Sequence, residues 1–145
     1  MSGVTATEAL LAVSALHAGF QLVVTVVVYP ALADVPADRW EPAHAAHSRR
    51  ITWLVAPLYV AVAAVGTWSL LAWPVGSAAQ VGTAVALAGH AVAVGTTALV
   101  AGPTHGRLGR DGRRPELVGR LLRSDRVRTL GAVVALGAAL LVAVA

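Results

Sequence analysis

The run ITWLVAPLYVAVAAVGTWSLLAWPVGSAAQVGTAVALAGHAVAVGTTALVAGPTHG, from Ile51 to Gly106, holds 56 residues and no formal charge. A membrane helix needs about 20 mostly apolar residues, because the hydrocarbon core is roughly 30 Å thick and each helical residue rises about 1.5 Å. The run is too long for one crossing and suits two, divided at the turn-forming Trp73-Pro-Val-Gly-Ser77. Outside it, 25 uncharged residues separate Glu8 from Asp34, and 17 more follow from Thr129 to Ala145. Four spans result, at residues 7–32, 50–73, 78–101 and 127–145. The expected fold is all-α: a single integral membrane domain over residues 1–145, built as an antiparallel four-helix bundle.

Composition agrees. The chain is 57% hydrophobic and 12% charged, whereas soluble domains carry about 25% charged residues. It has no cysteine and no lysine, which excludes a disulfide framework and a thiolate metal site. The opening Met-Ser-Gly-Val-Thr has no basic n-region and no clear cleavage site follows, so no removable signal peptide is expected.

The arginines set the expected orientation. Residues 107–128 carry eight arginines against Asp111, Glu116 and Asp125, while residues 34–50 balance three arginines with three acids. Four spans place both segments on one side. The arginine excess assigns that side to the cytoplasm, with both termini outside. The polar cytoplasmic segments are then 33–49 and 102–126, and the membrane is the cytoplasmic membrane if the protein is bacterial. Without aromatic interleaving and beside lipid, the basic loop reads as a contact for membrane lipids, not nucleic acid.

Span one is expected to start at Thr7 as N-cap, with Glu8 behind it, and to bend or end after Tyr29 at Pro30. His17, Gln21, Thr25 and Tyr29 recur every four residues on one face. A second helix is expected to start between Asp38 and Pro42, with Asp38 and Glu41 spaced as a capping box. It should run unbroken through Arg50 as a cytoplasmic extension of span two, with Pro57 kinking it. Span three should stop at Gly102-Pro103. It carries Thr83, His90 and Thr97 at steps of seven, and the pairs Ala84/Ala88 and Ala91/Gly95 for close packing. Residues 102–112 read as an irregular loop. Pro115 to Leu122 reads as a separate surface helix, and Gly131 and Gly137 in span four as packing positions. No internal repeat is visible.

Two constellations carry chemistry. At the cytoplasmic mouth lie His44, His47 and His105, with Arg49, Arg50 and Tyr29. Three histidines with an open position suit a metal such as zinc, copper or iron. Alternatively His44 or His105 is a general base, with Arg50 and Tyr29 steadying an anion. The bland reading is interfacial side chains meeting water and lipid phosphates. Deeper in the bilayer, His17 and His90 place ionisable groups where they are costly and face the bundle interior. With Gln21, Thr25 and Thr97 they line a pocket or proton path, or they only join helices. Trp53 is an interfacial residue at the rim of that pocket.

Gly19 with the apolar run into Tyr29-Pro30, His44 to Ile51, Pro103-Thr-His-Gly-Arg-Leu108, Arg123, and Arg128-Thr-Leu130 together resemble the DUF1772 or anthrone-oxygenase-like family of small four-helix membrane proteins. The chain departs from that pattern at His47, where an aromatic is usual, and near Arg126, where a tryptophan is usual. The resemblance implies oxidation of an anthrone by molecular oxygen, with no obvious cofactor. It favours Tyr29, His44, Arg50, His105 and Arg128 as site residues. The expected function is therefore a small membrane oxygenase acting on a lipophilic aromatic or polyketide-like substrate. A His-ligated metal and a homo-oligomeric state stay open. The other reading is non-enzymatic: a transporter subunit or helix-packing partner.

Overall fold

The computed structural model describes residues 5–145. Four helices are long and apolar enough to cross a membrane: α1 (Ala6–Ala33), α2 (Ala37–Ala72), α3 (Ala78–Asp111) and α4 (Pro115–Val144). Their outward surfaces carry Leu16, Val26, Trp53, Leu71, Leu99 and Leu141, all exposed. In water such a surface is unfavourable; lipid tails solvate it at no cost.

α1 begins two residues earlier than expected. Thr5, not Thr7, is the N-cap: its hydroxyl accepts from the Glu8 N–H, and the Glu8 carboxylate accepts from the Thr5 N–H. Pro30 does not end the helix. A π-helical turn at Val24–Val28 precedes it, and the Tyr29 N–H donates to the Val24 carbonyl, five residues back. Proline has no N–H and its ring crowds the carbonyl four residues earlier, so a widened turn lets the helix pass. α3 repeats the device. Its π turn at Thr97–Ala101 precedes Gly102-Pro103, and the Gly102 N–H donates to the Thr97 carbonyl. The expected stop at Pro103 and the irregular loop after it are therefore replaced by helix Gly102–Asp111.

These turns expose a relation between the two halves of the chain that the sequence reading did not detect. Both π turns end two residues before their proline. The offset between the halves, 73 residues, also separates His17 from His90. In the sequence the offset is carried by Pro30 with Pro103 and His17 with His90, while the hydrophobic residues around them differ between the halves.

The start of α2 is a 3-10 turn, Ala37–Arg39, leading into Trp40–Ala72. Arg39 is the N-cap with no side-chain bond, so the Asp38/Glu41 capping box does not form. The helix runs unbroken through Arg50 and through Pro57. α4 is also continuous from Pro115, merging the expected surface helix with span four.

The closest packing joins α3 to α4 at Gly89 and Gly131. A Cβ on Gly89 would lie 2.5 Å from the Gly131 carbonyl oxygen, and one on Gly131 would lie 2.6 Å from that of Gly89. Only glycine permits such backbone approach. Ala86 and Ala93 continue this buried face, whereas Ala84, Ala88 and Ala91 point outward and Gly95 and Gly137 have no close neighbour. Small residues occur all round α3, so composition alone could not select the face.

Candidate functional site

Buried polar side chains run down the interior from the ends rich in arginine. The stripe His17, Gln21, Thr25 and Tyr29 does face inward, with Thr25 only partly buried. At its deep end the His17 and His90 rings stack, with Nδ1 atoms 2.8 Å apart, and His90 Nε2 lies 3.0 Å from the Ser14 hydroxyl. Each such contact takes one donor and one acceptor, so at least one of the two rings presents a bare Nδ1. His17 Nε2 is buried with no partner. The Tyr59 ring meets His17 edge-on.

One turn along, the Gln21 amide donates to Asp125 Oδ1 at 2.6 Å. The same carboxylate oxygen accepts from Arg128 Nη2 at 2.8 Å, with both side chains almost wholly buried. Burying either charge alone would be very costly; the pair offsets much of that cost. Asp125 and Arg128, three residues apart on α4, share a face. Arg128 Nη2 also donates to the Tyr29 hydroxyl at 2.8 Å, and Nη1 reaches Thr97 Oγ1 at 3.5 Å. Its Nε is buried and unpartnered. The Thr97 hydroxyl donates to the Ala93 carbonyl, so at its 2.8 Å contact with Tyr59 it accepts. Thr25 bonds across to Thr129 and back to the Gln21 carbonyl.

The third group is histidine-rich. Tyr29 Oη lies 3.4 Å from His105 Nε2, and His105 Nδ1 lies 3.0 Å from His44 Nε2. Trp40 stacks on His44 at 5.1 Å between centroids and donates its indole N–H to the Leu108 carbonyl, which fixes the His44 ring. The His47 ring sits 5.4 Å from that of His105, centroid to centroid, yet its buried Nε2 has no partner.

Two cavities flank this group. The inner one, about 430 Å³, has a mainly apolar surface from residues such as Phe20, Val24, Ile51 and Val55, with Tyr29, Ser48, Thr52, Tyr59, Thr97, His105 and Arg128 as its polar residues. The outer one, about 710 Å³, is lined by Trp40, Glu41, His44, Arg110 and Asp111 among others. A mostly apolar cavity with a few converging polar groups is the usual form of a small-molecule site.

Of the residues singled out from sequence, Tyr29, His105, Thr97 and Arg128 line the inner cavity. His44 lines the outer one and reaches the inner one only through His105. Arg50 is exposed and lines neither, because its position on α2 faces away; the guanidinium beside Tyr29 is that of Arg128. Trp53 also points outward, 78% exposed. His17, Gln21, Thr25 and His90 are bonded to protein partners beside the cavity and do not line it. Among the described residues, no group of three His, Asp or Glu side chains is arranged to hold a metal ion. His44 and His105 direct nitrogens at each other, and His47 Nε2 joins neither.

Asp125, Tyr59, Trp40 and Ser14 were not singled out as site residues. Asp125 had a readable signal: an acid three residues before Arg128 at the start of a span, where a lone buried charge is intolerable. The other three carry none, because their roles depend on contacts between helices. Comparison with protein families, curated proteins and solved structures finds no match to this chain.

Proposed function

We propose that this protein is a membrane-embedded enzyme that deprotonates a lipophilic aromatic ketone in the inner cavity and lets molecular oxygen attack the resulting enolate. The bundle is read as antiparallel, with the arginine-rich ends in the cytoplasm. The observation that carries the reading is the convergence of His105, Tyr29 and Arg128 on one apolar cavity inside the apolar spans. The resemblance to the anthrone-oxygenase-like family points to the same substrate class.

The chemistry follows from the donor set. His105 Nε2 is the base: its 3.4 Å contact with Tyr29 is among the longest in the network, which leaves that nitrogen available to a substrate. It takes a proton from the methylene between the aromatic rings. The C–H bond breaks and its electron pair enters the enolate. The Tyr29 O–H and the Arg128 guanidinium, both at the cavity lining, donate to the developing oxyanion, in a site of low dielectric where such bonds are strong. Asp125 and Gln21 hold the guanidinium still. Oxygen adds at the deprotonated carbon, and loss of water leaves a ketone there. One anthrone and one dioxygen give one anthraquinone and one water.

The test is oxygen uptake with anthrone by purified protein in lipid nanodiscs, corrected for empty nanodiscs. Turnover should appear in the wild type and fall by about 10²-fold or more in His105→Ala. Equal uptake by the His105→Ala variant would remove the assigned base. No uptake by folded wild-type protein would overturn the reaction.

A further inference from the structure

We propose that His105 and His44 form a proton relay through the wall between the two cavities, so that the proton taken from substrate is held on the arginine-rich side while oxygen adds and returns when water is formed. This rests on the function proposed above and adds what that function lacks, a place outside the apolar cavity to hold the proton while oxygen adds.

The wall is thin. Ser48 and His105 are the two residues that line both cavities. His105 presents Nε2 toward Tyr29 on the inner side and Nδ1 to His44 Nε2, 3.0 Å away. His44 lines only the outer cavity, together with Glu41, Arg110 and Asp111. Its Cε1–Nδ1 edge faces Gly109, a lining residue of that same cavity. The Trp40 stack holds the His44 ring in register with His105. Two imidazoles in line can pass a proton because each accepts at one nitrogen and releases at the other.

The step balances without a redox partner. His105 Nε2 gains the substrate proton, and its Nδ1–H passes to His44 Nε2. His44 then releases its Nδ1–H to water in the outer cavity. When the substrate peroxide expels hydroxide the transfers run in reverse, His105 Nε2–H completes the water, and both rings regain their Nδ1–H form. For His105 to begin as a base at Nε2, its resting hydrogen must be on Nδ1. His44 must then accept at Nε2 and carry its own hydrogen on Nδ1. Both rings are thus assigned the Nδ1–H form. A merely structural pair would be equally satisfied by the opposite arrangement.

The first experiment needs no substrate. Beside the His17–His90 pair, wild-type protein labelled with ¹⁵N-histidine in nanodiscs should show two Nδ1–H rings joined by a second N–H···N coupling, and that second coupling should vanish in His44→Gln. A His105 ring protonated at Nε2 would overturn the relay. The second experiment follows deuterium entry into the anthrone methylene in D₂O without oxygen. The wild type should exchange. His44→Gln should slow exchange at least tenfold while still forming the enolate absorbance, and added imidazole should restore exchange in His44→Ala. Exchange at the wild-type rate in both variants would overturn the relay while leaving the oxygenase reading intact. If anthrone exchanges in no form of the protein, the oxygenase reading fails, and the tautomers and coupling alone decide the relay.

Discussion

Replacing Arg128 by methionine would leave Asp125 buried without its charged partner. The two groups meet at 2.8 Å, with side chains 5% and 2% exposed. Breaking a buried ion pair by removing one member costs about 3–5 kcal/mol, because an uncompensated charge remains. Arg128→Met also removes the donors to Tyr29 and Thr97, while Gln21 alone still serves the carboxylate. The loss should therefore reach about 3 kcal/mol at least. Replacing the pair together should behave differently, since swapping a buried pair for uncharged residues of similar volume is often near neutral. Asp125→Asn with Arg128→Met should recover about 2 kcal/mol or more relative to the sum of the single changes. Unfolding in mixed micelles against increasing denaturing detergent, followed by circular dichroism, measures all four proteins of the cycle. A cost below about 1 kcal/mol for Arg128→Met, or strict additivity, would refute the idea that this pair anchors the site.

Gly89→Ala should destabilise the protein by about 1–3 kcal/mol, since its Cβ would sit 2.5 Å from the Gly131 carbonyl oxygen and 3.0 Å from the Ala135 nitrogen. Gly95→Ala, with nothing within 4 Å, should be neutral or slightly stabilising in the same detergent titration. Arg50→Ala should leave anthrone-dependent oxygen uptake within about twofold of wild type, whereas Tyr29→Phe should lower it by about 10²-fold through loss of an oxyanion donor. Ala56→Trp, at an exposed position that lines the inner cavity, should abolish uptake while leaving the melting transition in place.

Charge spacing and hydropathy alone made the four helices legible, because a bilayer admits few ways to satisfy a backbone. The inward face of α1 was legible for the same reason, from the four-residue step of His17 to Tyr29. What the sequence hid was mostly backbone. Pro30 and Pro103 read as helix ends, yet a π turn carries each helix past its proline. That moved His105 from a supposed loop onto α3, where it meets His44 and Tyr29. Arg50 and Arg128 illustrate a second limit. Both lie at the edge of an apolar run, and only the packing of the helices tells the exposed guanidinium from the buried one. The pairing of Gln21 with Asp125 spans 104 residues and leaves no local mark.

The proposed chemistry requires a lipophilic ketone to sit against Arg128 in the inner cavity. Solid-state NMR on nanodisc-reconstituted protein, labelled with ¹⁵N-arginine and given anthrone carrying a ¹³C carbonyl under argon, measures that contact. Binding as described would place the carbonyl carbon about 4 Å from a guanidinium nitrogen, one hydrogen bond away. It would give strong dipolar dephasing that disappears in Arg128→Lys, whose labelled side-chain nitrogen is gone. A carbonyl signal coupled to no arginine, or a coupling unchanged in Arg128→Lys, would contradict the account.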